Sequence, residues 1–216
     1  MLELTNVSYQ TGERQILHNV SCRIESGEAV AVVGPSGSGK STLLRLIADL
    51  ISPTSGRIHF KGQPYDSYPP ETLRQHISYL PQSVELFGET IQDNLAFPAK
   101  VRQVSFNKSK AKSMLEKVGL KKYKLSDAVQ HMSGGEKQRI TIARQLMFTP
   151  DLLMLDEATS ALDDNSSRQI EELVFDLVQE GMSVLWITHN DAQSQRQFHR
   201  KMEIRNGALT REVRLS

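Results

Sequence analysis

Residues 28–42 read EAVAVVGPSGSGKST. The apolar run from Ala29 to Val33 stops at Gly34. A strand buried on both faces has this unbroken character, without the alternation of a half-exposed strand. Gly34-Pro35-Ser36-Gly37-Ser38-Gly39-Lys40-Ser41, followed by Thr42, then matches G-x-x-x-x-G-K-[ST]. That spacing has physical meaning only between a strand and a helix. STLLRLIADLI supplies the helix, with Leu43, Leu44, Ile47, Leu50 and Ile51 at helical spacing until the turn residues SPTSG at 52–56. In such a loop, glycines let backbone N–H groups close around phosphates, and the helix start adds positive partial charge. Lys40 is expected to reach the β- and γ-phosphates, and Ser41 to offer its hydroxyl to Mg2+.

Outward from this loop the chain supplies what a phosphate site lacks. LLMLDE at 152–157 is a buried strand that delivers Asp156 to its carboxyl end, where a carboxylate holds Mg2+ through water. Glu157 follows, pointing the other way, as a candidate general base for an attacking water. SVLWITH at 183–189 is a second buried strand that brings His189 toward the γ-phosphate. HISYLPQ at 76–82 closes on Gln82, whose amide can ligate Mg2+ and tie the site to the segment that follows. Tyr9, before a turn in the first hairpin, either stacks on an adenine or packs within its strand.

The rest of the chain frames these elements. LELTNVSY and ILHNVSCRIE alternate like paired strands around TGERQ. The stretch 83–131 is richer in Lys, Ser and Gln, contains Pro98, and carries one predicted helix, KSKAKSMLEKVGL, stopped near Gly119. A helix from about 136 to 148 and Pro150 precede the strand at 152–157. SRQIEELVFDLVQEG then aligns Ile170, Leu173, Val174, Leu177 and Val178 in one apolar stripe. Alternating strands and helices imply a largely parallel sheet covered on both faces. The expectation is one domain over 1–216: a core from 1–82 and 150–216, and a helical insert over about 83–149.

Composition narrows the partners. With 26 Lys and Arg against 25 Asp and Glu, the 216-residue chain has a formal net charge of +1. No bulk electrostatic attraction to nucleic acid or an anionic membrane is expected. Cys22 is the single cysteine, so no intrachain disulfide forms and a reducing, cytosolic setting is expected. No apolar run has membrane-span length, and the N-terminus lacks the pattern of a signal peptide. The chain is expected neither to insert into a membrane nor to leave the cell by itself.

One stretch remains: HMSGGEKQRI at 131–140, a second glycine pair with a serine before it and a helix after it. With it, the ordered motifs resemble the ATP-binding subunits of ABC transporters along almost the whole chain. GPSGSGKS looks like Walker A, LLMLDE like Walker B, and Gln82 like the Q-loop. SALD at 160–163 is similar to the D-loop, His189 to the H-switch and Tyr9 to the A-loop aromatic. MSGGEKQ at 132–138 resembles the signature LSGGQ, with Glu136 where the family usually has glutamine. The resemblance implies an α/β P-loop fold with an antiparallel N-terminal β-subdomain and a helical signature insert. It also implies an ATPase using Mg2+, at the cytoplasmic face of the inner membrane, in which two subunits pair head to tail. Ser133, Gly134 and Gly135 would then serve the γ-phosphate of the ATP bound by the other subunit, and Asp163 would link the two. On this resemblance the second glycine pair would belong to the neighbour's site.

A separate transmembrane permease is implied, docking on SVELFGETIQDNLAF at 83–97 near Leu86 and Phe87. The LFGETIQDNL wording is closer to export-type subunits, although LSDAVQHM replaces the glycine-containing segment that precedes the signature in many fused exporters. Few residues follow His189, fewer than an importer-type regulatory domain needs. This combination most resembles bacterial iron-export or metal-resistance ATPases. Lipoprotein-release and small-molecule efflux ATPases stand near, as does a soluble ATPase of iron–sulfur cluster assembly. A nucleotide-binding module without catalysis fits less well, because Glu157 and His189 are both present.

Overall fold

The computed structural model describes residues 1–83, 85–195 and 197–215. The chain divides into two compact units. The first joins Met1–Tyr79, Asp151–Glu157 and Val178–Ser216; the second joins Leu80–Pro150 and Ala158–Leu177.

In the first unit, β1 (Leu2–Thr11), β2 (Arg14–Ile24), β4 (Ser55–Phe60) and β5 (Gln63–Pro64) form an antiparallel sheet in the order β2-β1-β4-β5. A six-stranded sheet has the order β10-β9-β3-β8-β7-β6. Its strands are β3 (Ala29–Val33), β6 (Ile77–Leu80), β7 (Leu152–Asp156), β8 (Ser183–Ile187), β9 (Arg200–Arg205) and β10 (Ala208–Arg214). β3 runs parallel to β8 and β9, and β7 parallel to β8, so the carboxyl ends of β3, β7 and β8 lie at one edge. Every residue of β7 and β8 is buried, as their unbroken apolar runs require. One core holds the unit together: Leu2, Val7 and Phe60 from the antiparallel sheet, Val30, Met154 and Leu185 from the other, and Leu43, Leu44 and Ile47 from α1 (Lys40–Ile47).

The helix α1 is shorter than the apolar spacing predicts. It ends at Ile47, Ala48 caps it, and Asp49 turns into the left-handed region at φ 54°. Leu50 is therefore 53 % exposed and does not extend the buried stripe. The short helices α2 (Pro70–His76) and α7 (Asp191–Ser194) complete the unit.

The second unit contains α3 (Ile91–Val101), α4 (Lys108–Lys117), α5 (Gly134–Leu146) and most of α6 (Asp164–Gln179). α5 packs against both α3 and α4. Two helices occupy the stretch for which the sequence predicts one. Pro98 reads as a breaker because it lacks an N–H and crowds the preceding turn, yet it sits inside α3. The helix survives because Thr90 and Asp93 form a reciprocal capping box and Ile91, Leu95 and Ala99 are buried four residues apart. α6 buries Ile170, Leu173, Val174, Leu177 and Val178 as the stripe predicts. Ala158–Leu177 groups with this unit, whereas the sequence-based boundary leaves it with the core; Ser166 on α6 accepts from Arg139 of α5 at 2.5 Å.

Candidate functional site

The phosphate loop leaves β3 at Gly34 and enters α1 at Lys40. Gly34 has φ 142°, and a Cβ there would lie 2.0 Å from the Ile204 carbonyl oxygen. Gly39 has φ 103°, and a Cβ would come within 2.8 Å of Leu17 Cδ2. Both positions need glycine for backbone angle and for room. The loop is also held from below, where the Gly207 N–H donates to the Ser38 carbonyl at 3.0 Å. α1 starts with no side-chain cap, so its first N–H groups are presented to the loop without an internal acceptor from a capping side chain. The buried Ser38 hydroxyl likewise has no hydrogen-bond partner among the described residues. Unsatisfied donors around a helix start fit a phosphate group.

Lys40 is 5 % exposed and folds back on its own loop, donating to the carbonyls of Gly34 at 2.8 Å and Pro35 at 2.9 Å. Burial pulls its ammonium below the usual lysine range, while the nearby Glu157 and Asp156 pull it back up. The three charges therefore share one locality. Pro35, Ser36 and Gly37 are exposed at the loop tip, as is Ser41, with Thr42 half-buried. Asp156 ends β7 and is only 3 % exposed; its Oδ2 accepts from the Tyr79 hydroxyl at 3.2 Å. The donors available to Mg2+ are thus oxygens, a serine hydroxyl and a carboxylate. Mg2+ takes one or two protein carboxylates together with substrate phosphates rather than an all-protein cage. The donor set fits, and no group of three or more His, Cys, Asp or Glu residues able to hold a metal occurs among the described residues.

Glu157 lies just beyond β7 with φ 53°, a left-handed backbone that a non-glycine residue rarely adopts. Its N–H donates to the Ile187 carbonyl at 3.1 Å, which fixes the turn against β8. Backbone strain of this kind persists only where surrounding structure holds it. Its side chain meets His189: Glu157 Oε1 and His189 Nε2 are 2.9 Å apart. β8 itself ends at Ile187, two residues before His189, and the Asn190 N–H donates to the Thr188 hydroxyl at 3.1 Å within that turn. A cavity of about 910 Å3 adjoins Gly34, Pro35, Thr188 and His189, and its wall includes Lys201, Arg205 and Arg211. Tyr9 is half-buried and packs against the core of the first unit.

The remaining candidates lie in the second unit. Gln82 is exposed two residues beyond the end of β6. Ser133 is the N-cap of α5 and forms a capping box with Glu136: the Glu136 N–H donates to Ser133 Oγ at 3.3 Å, and the Ser133 N–H to Glu136 Oε2 at 3.0 Å. Gly134 has open space where a Cβ would be, whereas at Gly135 a Cβ would stand 3.2 Å from Leu162 Cδ2. Asp163 caps α6, accepting from the Ser166 N–H at 3.0 Å. That hydrogen bond, followed by the one to the Ser166 side chain, lowers the Asp163 carboxyl below its ordinary range. Leu86 is half-buried and Phe87 is 39 % exposed; Val84, within the predicted docking stretch, lies outside the described residues.

Several contacts here have no signal in the motifs. Asn94 is fully buried: its amide donates to the Phe87 carbonyl at 2.8 Å, and its oxygen accepts from Arg144 at 3.0 Å. The Phe87 ring meets Phe97, itself 45 % exposed, at 4.7 Å between centroids. Glu136, the departure from the usual glutamine, accepts from the Tyr123 hydroxyl at 2.6 Å and pairs with Lys122 at 3.0 Å. The Tyr123 bond, followed by the Ser133 N–H, pulls the Glu136 carboxyl down to about 2. A carboxylate is therefore better served in this position than an amide. Glu136→Ala is expected to destabilise the fold by about 1–2 kcal/mol, the loss of a cap and of a charge-assisted bond. In a chain of this size that lowers the melting temperature by roughly 2–8 °C. Because the folded value lies below the ordinary one, the stabilisation is full above the unfolded value and fades as pH falls toward about 2. The gap between wild type and variant should close on acidification; a pH-independent gap in thermal unfolding would assign the loss to packing alone.

Residues 17–160 match the family described as ABC transporter. Among curated proteins, the chain is 42 % identical to the probable iron export ATP-binding protein FetA of Escherichia coli (strain K12), over 88 % of this chain and 85 % of the relative. It is 38 % identical to the arginine transport ATP-binding protein ArtM of Bacillus subtilis (strain 168), over 88 % and 81 %. Among solved structures, it is similar to a dimeric ATP-binding cassette in a post-hydrolysis state bound to ADP and Pi, at a TM-score of 0.90 and 28 % identity, covering 100 % of this chain and 99 % of that one. It is also similar to a bacterial Atm1-family ABC exporter with ATP bound, at 0.91 and 28 %, and spans 99 % of its own length but 38 % of that longer chain.

Proposed function

This chain belongs to the ABC transporter family, as an ATP-binding subunit that hydrolyses ATP with Mg2+, and on that premise we propose that it works as a head-to-tail pair powering a separate membrane permease. The gathering of Lys40, Asp156, Glu157 and His189 in one unit, near the carboxyl edge of its sheet, carries the hydrolytic part of this reading, and the likeness to a dimeric ATP-binding cassette supports the pairing. A site so composed suits phosphoryl transfer to water.

In this reading Lys40 leaves the Gly34 and Pro35 carbonyls for the β- and γ-phosphate oxygens, where its charge counts most as negative charge develops. The loop from Gly34 to Thr42 wraps the phosphates with backbone N–H groups, and Tyr9 stacks on the adenine. Ser41, Gln82 and Asp156 hold Mg2+, which when bound neutralises phosphate charge. Glu157 orients a water on the γ-phosphorus and takes its proton as the new P–O bond forms and the bond to ADP breaks. His189, 2.9 Å from Glu157, steadies that carboxylate and contacts the γ-phosphate. The partner subunit's Ser133, Gly134 and Gly135 complete the γ-phosphate shell, and Asp163 joins the two subunits. ATP binding draws the pair together and hydrolysis releases it, a population shift driven by ligand.

Export of iron or another metal is the transport reaction we assign. The export-type wording of LFGETIQDNL and the likeness to the iron export protein FetA support it; the likeness to an arginine transport protein points to a different cargo. No helix among the described residues is long and apolar enough to cross a membrane; in this reading the permease is a separate chain, docked on Leu86 and Phe87 with this subunit peripheral at the inner face. Affinity capture of the protein from gently solubilised membranes tests this. A stoichiometric multi-span protein is expected, with metal-dependent stimulation of turnover in the reconstituted complex. Soluble partners alone would move the protein to the iron–sulfur assembly class.

A further inference from the structure

Tyr79 lies in HISYLPQ but has no role in the motifs above, yet it touches Asp156. Its hydroxyl donates to Asp156 Oδ2 at 3.2 Å, and the guanidinium of Arg45 lies beside the same hydroxyl. Three elements meet in this chain of contacts. Arg45 lies on α1, one turn beyond Ser41 and on the same face. Tyr79 lies on β6, at the end of the sheet. Asp156 ends β7, the neighbouring strand.

We propose that Tyr79 is the positioning residue for Asp156, fixing its carboxylate for Mg2+ and tying it, through Arg45, to the helix that carries Ser41. A carboxylate only 3 % exposed has few waters to orient it and needs a fixed donor to hold one pose. The tyrosine suits that task because it does not itself lose a proton. A phenol ordinarily titrates at about 10, and Tyr79 meets Asp156 as a donor at 3.2 Å. Among the described residues only Oδ2 has a hydrogen-bond donor, which leaves the other oxygen for the cation. Partners of this outer kind typically change metal affinity by 10–100-fold when removed.

The inference rests on Asp156 as a Mg2+ ligand, and the experiment separates the two. Mn2+ binding to the ATP-loaded protein is followed by electron paramagnetic resonance, alongside the Mg2+ midpoint for a fluorescent ATP analogue, for wild type, Tyr79→Phe and Asp156→Asn. Tyr79→Phe is expected to weaken both metal readings about tenfold or more. Nucleotide binding in EDTA should stay unchanged, the apo melting temperature should fall by no more than roughly 2–10 °C, and excess Mg2+ should restore turnover. A shift in Asp156→Asn without one in Tyr79→Phe overturns the role of Tyr79 alone. No shift in either overturns both the inference and the metal-ligand reading. Should Tyr79→Phe fail to fold, Arg45→Met tests the same chain from its exposed end: a smaller shift in the same direction is expected, and an unmoved midpoint overturns the proposal.

Discussion

Glu157→Gln is expected to cut steady-state ATP turnover by at least about a hundredfold while leaving ATP binding intact and trapping an ATP-bound dimer. Glutamine keeps the size and the hydrogen-bonding outline of the side chain but cannot take a proton from water. Loss of a positioned general base costs about 10²–10⁴-fold in rate. Two observations make a purely structural effect improbable as the cause. The left-handed φ of 53° at Glu157 is set by the backbone, through its N–H to Ile187, and a glutamine accommodates it as well as a glutamate. The contact with His189 at 2.9 Å also survives, since an amide oxygen accepts from Nε2. Because kcat falls and binding does not, the lost interaction is one made in the transition state. Phosphate release under saturating ATP measures the first effect, and size-exclusion chromatography with ATP the second. Turnover within a few-fold of wild type would remove Glu157 from the chemistry.

The residues of this site were legible because each is the last of a pattern that physics forces to be visible. A strand buried on both faces must be apolar throughout, so Ala29–Val33, Leu152–Leu155 and Ser183–Ile187 announce where Gly34, Asp156 and the approach to His189 fall. Contacts between such strands carry no such mark. Tyr79 meeting Asp156, or Asn94 meeting Arg144, joins residues far apart in sequence, and each looks ordinary in its own stretch. The missed helix α3 is a different failure. A local breaker, Pro98, is outweighed by burial of Ile91, Leu95 and Ala99, which only the folded chain reveals. The overlong α1 is the reverse: Leu50 keeps the helical spacing, but Asp49 has already turned the chain. Its signal lay in the SPTSG that follows, which marks a turn without saying how early the helix yields.

Ser133→Arg is the second large effect, and it distinguishes a site built by two copies from one built by a single chain. Ser133 lies in the second unit at the start of α5, where its hydroxyl caps the helix and its neighbours are Gly134 and Gly135. If that helix start completes the γ-phosphate shell of the other subunit, an arginine fills the space where the phosphate must approach. Turnover then falls by at least about a hundredfold, as for removal of a donor that stabilises developing charge, and ATP no longer drives dimer formation. ATP binding to the isolated subunit persists, because the loop at Gly34–Thr42 is in the other unit and unaltered. Loss of the cap costs about 1 kcal/mol, a shift of a few degrees in melting temperature, since Tyr123 and Lys122 still hold Glu136 beside the helix start. The decisive pattern is therefore a split: folded, ATP-bound, monomeric and inactive. If the variant instead hydrolyses ATP normally, α5 does not face a neighbour's nucleotide, and the second glycine pair needs another explanation. If ATP binding and the melting transition vanish together, α5 is required for folding, and Ser133→Ala, which removes the hydroxyl without adding bulk, becomes the variant whose turnover decides.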